Sequence, residues 1–295
     1  MRVLCAVASL CNPGWAEAAC RLALVLALDV SGSVDQREYR LQLDGIAAAL
    51  DTPEVRGAIL ALPDAHVELA VFEWSAARYS RDILDWTALT SEASIDAIAA
   101  RLRTLRRVSS PEATGLGAAM ERAGRMLQDR ADCWKRVADI SGDGKNNDWP
   151  LPLDVKADGM LDAATVNALV VGIGTPRIGD ERQAEITELS SYFRTEVLHG
   201  PDAFLEVALG YEDYARAMTR KLLREISAPP LGALPIRPLH SGGRRAVVSA
   251  PVVATPSVSA ALLGRSKQGG LAEAESLSHE MRGTAWRLGK DRSIR

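Results

Sequence analysis

The run from Leu22 to Val30 is near-continuously apolar and ends in Asp29-Val30-Ser31-Gly32-Ser33. A short strand with no polar face has to be covered on both sides. It therefore reads as a central strand of a parallel sheet, entered by a polar loop at its carboxyl end. Asp35 followed by Glu38 suits a helix N-cap with its reciprocal partner, and Tyr39, Leu43, Ile46 and Leu50 recur at helical spacing. His66–Trp74 alternates as a second strand, and Ile83–Trp86 is a short edge strand. The spacing of Ile95, Ile98, Leu102 and Leu105 predicts an amphipathic helix over Ser94–Leu105. Leu116–Leu127 reads as helix, Trp134–Ile140 and Thr165–Ile173 as strands, Thr187–Val197 as helix, Ala203–Leu209 as a last strand and Tyr211–Ile226 as a closing helix. Strands alternating with helices imply an α/β, doubly wound, mostly parallel sheet with helices on both faces and right-handed crossovers.

In such a sheet, ligands sit outside the carboxyl ends of the strands. Three polar segments fall there: Asp29-x-Ser31-x-Ser33, then Ala113-Thr114-Gly115-Leu116-Gly117 opening a helix, then Ser141-Gly142-Asp143-Gly144. Asp29, Ser31, Ser33, Thr114 and Asp143 offer two carboxylates and three hydroxyls. That hard-oxygen set suits Mg²⁺, Mn²⁺ or Ca²⁺ and holds no thiolate or imidazole to favour Zn²⁺ or Cu. Two carboxylates only just balance a divalent charge, and Mg²⁺ commonly leaves a vertex to solvent or to an outside oxygen. An Asp or Glu of a protein partner could fill it, linking metal and partner affinity reciprocally. The alternative is that the same residues serve only as helix caps and turns.

These segments resemble the metal-ion-dependent adhesion site of von Willebrand factor A domains, also found in integrin inserted domains. The resemblance covers roughly Cys20–Ser227. Leu26-Ala-Leu-Asp-Val-Ser-Gly-Ser-Val34, Asp139-Ile-Ser-Gly-Asp-Gly144, Val166-Asn-Ala-Leu-Val170 and Gly200-Pro-Asp-Ala-Phe204 look like a bacterial exported subfamily of unknown function. The resemblance implies a six-stranded sheet with one antiparallel edge strand, in a binding module that is not an enzyme. It also implies that Ser31 and Ser33 ligate a metal directly, Thr114 directly or through water, and Asp29 and Asp143 mainly through water. Ala113 stands where the family has Gly, and Gly142 where it has Thr before Asp-Gly. Neither change removes a ligand, but both alter the loops, and Glu112 could approach the site.

Met1-Arg2, the apolar stretch Val3–Leu10 and the small residues before Cys20 read as a secretory signal over residues 1–19. The expected location is periplasmic or secreted, and nothing later in the chain supplies the roughly 20 apolar residues of a membrane span. Of four cysteines, Cys20 and Cys133 would remain after cleavage. Each precedes an apolar strand candidate, and adjacent parallel strands would bring the two sulfurs together as a disulfide. Two separate buried thiols, or lipid attachment at Cys20, are the alternatives. From Ala228 onward the chain is rich in Pro, Gly, Ser, Ala and Arg and reads as a disordered tail over residues 228–295. That stretch holds ten basic against four acidic residues, so the first 227 residues carry a net charge of −9 of the total −3. Nothing in this balance points to nucleic acid.

Two enzyme readings compete. Gly142-Asp143-Gly144-Lys145-Asn146-Asn147-Asp148 resembles the acidic loop of haloacid-dehalogenase-type phosphatases, but those place a general acid two residues after the first Asp, where this chain has Ser31. A serine hydrolase lacks its nucleophile elbow, and His66, His199, His240 and His279 fall in no triad context. Trp149 follows the third loop and could flank the site, whereas Trp74, Trp86 and Trp134 read as core or sheet-edge packing. Arg101, Arg103, Arg106 and Arg107 form a basic run near the second loop, read first as a solvated face and second as a device steering an acidic partner.

Overall fold

The computed structural model describes residues 18–172 and 180–227. The expected signal segment, apart from its last two residues, and the whole expected tail lie outside the described residues, as does Ile173. Along the chain run β1 (Ala19–Asp29), α1 (Gln36–Leu50), α2 (Pro53–Leu60), β2 (Ala65–Trp74), β3 (Ser80–Leu89), α3 (Glu92–Thr104), α4 (Leu116–Gln128), β4 (Arg136–Gly142), α5 (Pro152–Ala157), β5 (Thr165–Val171), α6 (Asp180–Tyr192), a π-helical turn (Phe193–Val197), β6 (Leu205–Ala208), a 3₁₀ turn (Tyr211–Asp213) and α7 (Tyr214–Ile226).

The six strands form one sheet in the order β3-β2-β1-β4-β5-β6. All pair in parallel except β3, which runs antiparallel to β2 at the edge. This is the von Willebrand factor A-like arrangement that the resemblance implies. The apolar β1 lies at the middle of it. Leu22, Leu24, Leu26 and Leu28 face a core shared with α1, α2, α3 and α7. Ala23, Val25 and Ala27 face a second core beneath α4, α5 and the π turn. Each buried Leu contributes about 1.5–3 kcal/mol, and the small odd-numbered residues let α4 lie close to the sheet.

Capping follows the sequence. Asp35 accepts from the Glu38 amide at 2.8 Å while Glu38 accepts from the Asp35 amide at 2.8 Å, closing the expected box at the start of α1. Several boundaries differ. Helix α3 begins two residues earlier than its apolar period because Ser91 caps it through Ser94. Strand β3 runs ten residues against an expected four: Ser80, Asp82 and Asp85 are exposed along it, so hydrophobicity marks only its centre. Trp134 is 42% exposed rather than packed, and β4 begins at Arg136. Helices α2 and α5 are too short to show a period and carry Pro at their first positions.

Cys20 and Cys133 form a disulfide, with Cα atoms 4.5 Å apart. Beside it, buried Arg21 donates to the carbonyls of Ala65 (3.0 Å), Ile226 (2.8 Å), Ala58 (2.6 Å) and Ile59 (3.0 Å). One guanidinium thus ties the ends of α2 and α7 to the amino ends of β1 and β2, filling carbonyls that those helix ends leave unpaired. Among the described residues no helix is long and apolar enough to cross a membrane.

Candidate metal centre

At the opposite end of the sheet, β1 stops where its backbone turns. The Asp29 side chain accepts from the Ser31 amide at 2.8 Å, an Asx arrangement that diverts the chain from the ladder. The Val30 amide still bonds Trp74 O at 2.8 Å. From the other side, the Val30 carbonyl accepts from Ser110 Oγ at 2.6 Å and from Arg107 Nη2 at 3.0 Å. The Gly32 amide donates to Glu112 O at 2.9 Å, and a Cβ on Gly32 would lie 3.0 Å from Glu112 Cβ. Glycine therefore lets the loop before α4 lie directly against the first loop. Glu112 meets the site through its backbone.

Thr114 is held in turn by the third loop. Its amide donates to Asn147 Oδ1 at 2.7 Å, and its carbonyl accepts from the Asn147 amide at 2.9 Å. Asn146 Oδ1 accepts from the Gly117 amide at 3.3 Å, and Asp148 Oδ2 from the Ala77 amide at 2.8 Å. A Cβ on Gly117 would stand 2.0 Å from Pro150 O, so only glycine allows this contact. In the stretch that looks phosphatase-like in sequence, Asn146, Asn147 and Asp148 thus engage backbone amides with their side chains. Trp149 projects outward, 66% exposed.

Four of the five sequence-predicted residues are joined by short polar contacts. Ser31 and Ser33 Oγ are 3.3 Å apart, and Ser33 Oγ donates to Asp143 Oδ1 at 2.5 Å. Asp29 lies at the end of β1 and Asp143 just past β4, the neighbouring strand. Thr114 Oγ1 faces the same loop, 3.8 Å from the position a Cβ would take on Gly144. Tyr211, which no sequence signal marked, donates from its hydroxyl to Asp143 Oδ2 at 2.9 Å. Arg107 and Ser110 were likewise unmarked as supports of the first loop, although Arg107 lay in the basic run.

Burial and charge make this arrangement unbalanced on its own. Asp29 Oδ2 is buried and has no hydrogen-bond partner. Burial, and then the charge of Asp143, push the Asp29 carboxyl up to about 7. Asp143 is also raised by burial, against the hydrogen bonds from Ser33 and Tyr211 that lower it. A buried carboxylate with an orphaned oxygen, pushed up by the charge of a second carboxylate, is what a divalent cation would relieve. The donor set fits Mg²⁺, Mn²⁺ or Ca²⁺.

Comparison with solved structures places the fold beside a pilus adhesin, SpaC from Lactobacillus rhamnosus GG. The two share 12% identity over 70% of this chain and 31% of that one, with a TM-score of 0.50. A von Willebrand factor type A structure from Catenulispora acidiphila matches at 14% identity, 70% and 43% coverage and a TM-score of 0.47. Proximal thread matrix protein 1 from the mussel byssus, solved with a zinc-occupied MIDAS motif, matches at 15%, 72% and 47%, and 0.48. The chain spans less than half the length of each. No curated protein matches it. Residues 19–230 match the family described as protein of unknown function (DUF1194), and the chain belongs to that family.

Proposed function

We propose that this is an exported, divalent-cation-dependent protein-binding module of the adhesion type. Asp29, Ser31, Ser33, Thr114 and Asp143 would hold Mg²⁺, or Mn²⁺ or Ca²⁺ in its place, and a partner's Asp or Glu carboxylate would complete the coordination. The observation that carries this reading is the buried, unpartnered Asp29 Oδ2 beside Asp143. Capping and turn roles for these residues give no reason to bury a carboxylate oxygen without a donor beside a second carboxylate.

The chemistry present is binding chemistry. The position where a phosphatase needs an acid holds the buried hydroxyl of Ser31, hydrogen-bonded to Ser33. The loops are latched to one another through backbone amides, so the cation would bind a pre-formed cradle. Export accords with the Cys20–Cys133 disulfide, since such bonds persist in oxidising compartments. On this reading residues 1–19 are removed, residues 20–227 form the binding domain and residues 228–295 are a Pro/Gly/Arg-rich extension.

Calorimetric titration with Mg²⁺ and Mn²⁺ on the wild type and on Ser33→Ala tests the site. Saturable binding weakened at least tenfold by the substitution is expected, and equal isotherms would overturn it. A purely structural metal, with binding elsewhere, is the competing reading. Capture of a partner that survives chelation would favour that alternative.

A further inference from the structure

We propose that the partner carries further acidic residues beside its coordinating carboxylate, and that these enter an arginine-lined groove starting where the first loop ends. This rests on the metal-dependent reading above and names the partner's chemistry. The groove, of about 760 Å³, lies between the start of α1 and the end of α3, and Arg37, Arg40, Arg103, Arg106 and Arg107 line it.

The five arginines differ in what they already do. Arg40 donates to Leu105 O at 2.7 Å and Leu102 O at 2.8 Å while pairing with Asp44 at 3.0 Å. It closes the carbonyl end of α3 and forms part of the groove's floor. Arg107 bonds Val30 O and, at 3.4 Å, Ser31 O, and its buried Nε has no hydrogen-bond partner. The groove is therefore continuous with the metal loop through a single guanidinium. Arg37 pairs with Glu212 at 2.9 Å, both largely exposed, and Arg103 pairs with Asp51. Exposed pairs of this kind contribute little and exchange readily for a better-placed carboxylate. Arg106 is exposed on the rim.

Five guanidiniums against the carboxylates of Asp44, Asp51 and Glu212 leave the groove positive. It sits in a chain whose first 227 residues carry −9. Attraction to the carbonyl end of α3 accounts for Arg40 and Arg103, but not for Arg37 on α1 or for Arg106 and Arg107 beyond the helix. Ser33 and Gln36 are three residues apart, at most about 11 Å of chain. An extended partner advances about 3.3 Å per residue, so its added acidic residues belong roughly three to five positions from the coordinating one. Acidic side chains already set among the arginines, and a negative body, favour discrete peptide carboxylates over a uniformly charged polyphosphate.

The test uses the whole chain with Mg²⁺ and two labelled peptides. One carries a single Glu in a Gly/Ser background. The other adds three Asp at the third to fifth positions beyond it. Inorganic polyphosphate is the third probe. The expected result is roughly tenfold tighter binding of the extended peptide at low salt. That gain should fall away as salt rises and be absent from Arg103→Glu/Arg106→Glu and from Arg106→Glu alone, with Mg²⁺ titration unchanged. Equal affinity for the two peptides, a gain that survives both variants, or tighter capture of polyphosphate would overturn the groove. If the single-Glu peptide ignores Mg²⁺, the metal reading fails instead. The arginine-dependent gain, measured under chelation, then still decides the groove.

Discussion

Asp29 and Asp143 stand at the carboxyl ends of neighbouring parallel strands, and the charge of Asp143 adds to burial in pushing the Asp29 carboxyl up to about 7. Strand pairing forces the two together. Tyr211 and Ser33 hydrogen-bond Asp143, and the Ser31 amide satisfies one oxygen of Asp29. The second oxygen of Asp29 is what the protein alone leaves unsatisfied.

The metal-free protein should lose stability as pH rises. The folded-state pKa of Asp29 lies above its ordinary 3.8, so its contribution is fully present below about 4 and is lost as pH climbs through about 7. The difference is on the order of 4 kcal/mol. Asp139, also raised to about 7 by burial and by the charge of Glu225, against the opposing pull of Lys221, acts in the same direction. Thermal melts in chelator should give a higher Tm at pH 5 than at pH 8. Saturating Mg²⁺ should raise the pH 8 value most, and Asp29→Asn should flatten the slope. A melt independent of pH in both proteins would contradict the shared-carboxylate account.

Tyr211→Phe removes the donor to Asp143 Oδ2 without changing shape. Partners that orient a ligating carboxylate are worth about 10–100-fold in metal affinity, so Mg²⁺ titration should show at least a tenfold loss. Stability should fall by roughly 1–2 kcal/mol. Unchanged metal affinity would mean that Tyr211 serves only packing.

Gly117→Ala should separate α4 from the third loop, because its Cβ would stand 2.0 Å from Pro150 O. Overpacking of this kind costs about 1–3 kcal/mol. Thr114 and Asn147 exchange hydrogen bonds across the same junction, so Mg²⁺ affinity should fall together with denaturant stability. Gly57→Ala is the control. A Cβ there meets nothing within 4 Å, so Mg²⁺ affinity should be unchanged and stability should rise by up to about 1 kcal/mol, because Ala favours the interior of α2 over Gly.

Replacing Cys20 and Cys133 by Ser should lower stability by about 2–5 kcal/mol and leave Mg²⁺ affinity intact. The bond joins the amino end of β1 to the residues before β4, at the far end of the sheet from Asp29 and Asp143. Urea unfolding and calorimetry read the two effects separately. Loss of metal binding in a protein that still folds would refute the independence of the two ends.

Much of this was legible in the sequence because it depends on local pattern. An all-apolar Leu22–Leu28, at seven residues and ending in polar and Gly residues, reads as a central strand whose polar ending marks the ligand end of a parallel sheet. Asp29, Ser31, Ser33, Thr114 and Asp143 were each readable as hard-oxygen donors at element boundaries, and Cys20 and Cys133 as partners across adjacent strands. The short helices α2 and α5, the full length of β3 and the roles of Tyr211, Ser110 and Arg107 were not. A two-turn helix has no period to detect, and an edge strand solvated on one face carries few apolar residues. A tyrosine 68 residues beyond its acceptor gives no local sign of contact. Only packing α7 and its preceding 3₁₀ turn against the sheet brings Tyr211 to Asp143, and only the folded loops leave Asp29 Oδ2 without a donor. The chain's local pattern is enough to show which residues carry hard oxygens near the carboxyl end of the sheet. Which of those oxygens remain unsatisfied depends on the fold, because hydrogen bonding and desolvation are set by neighbours distant in the chain.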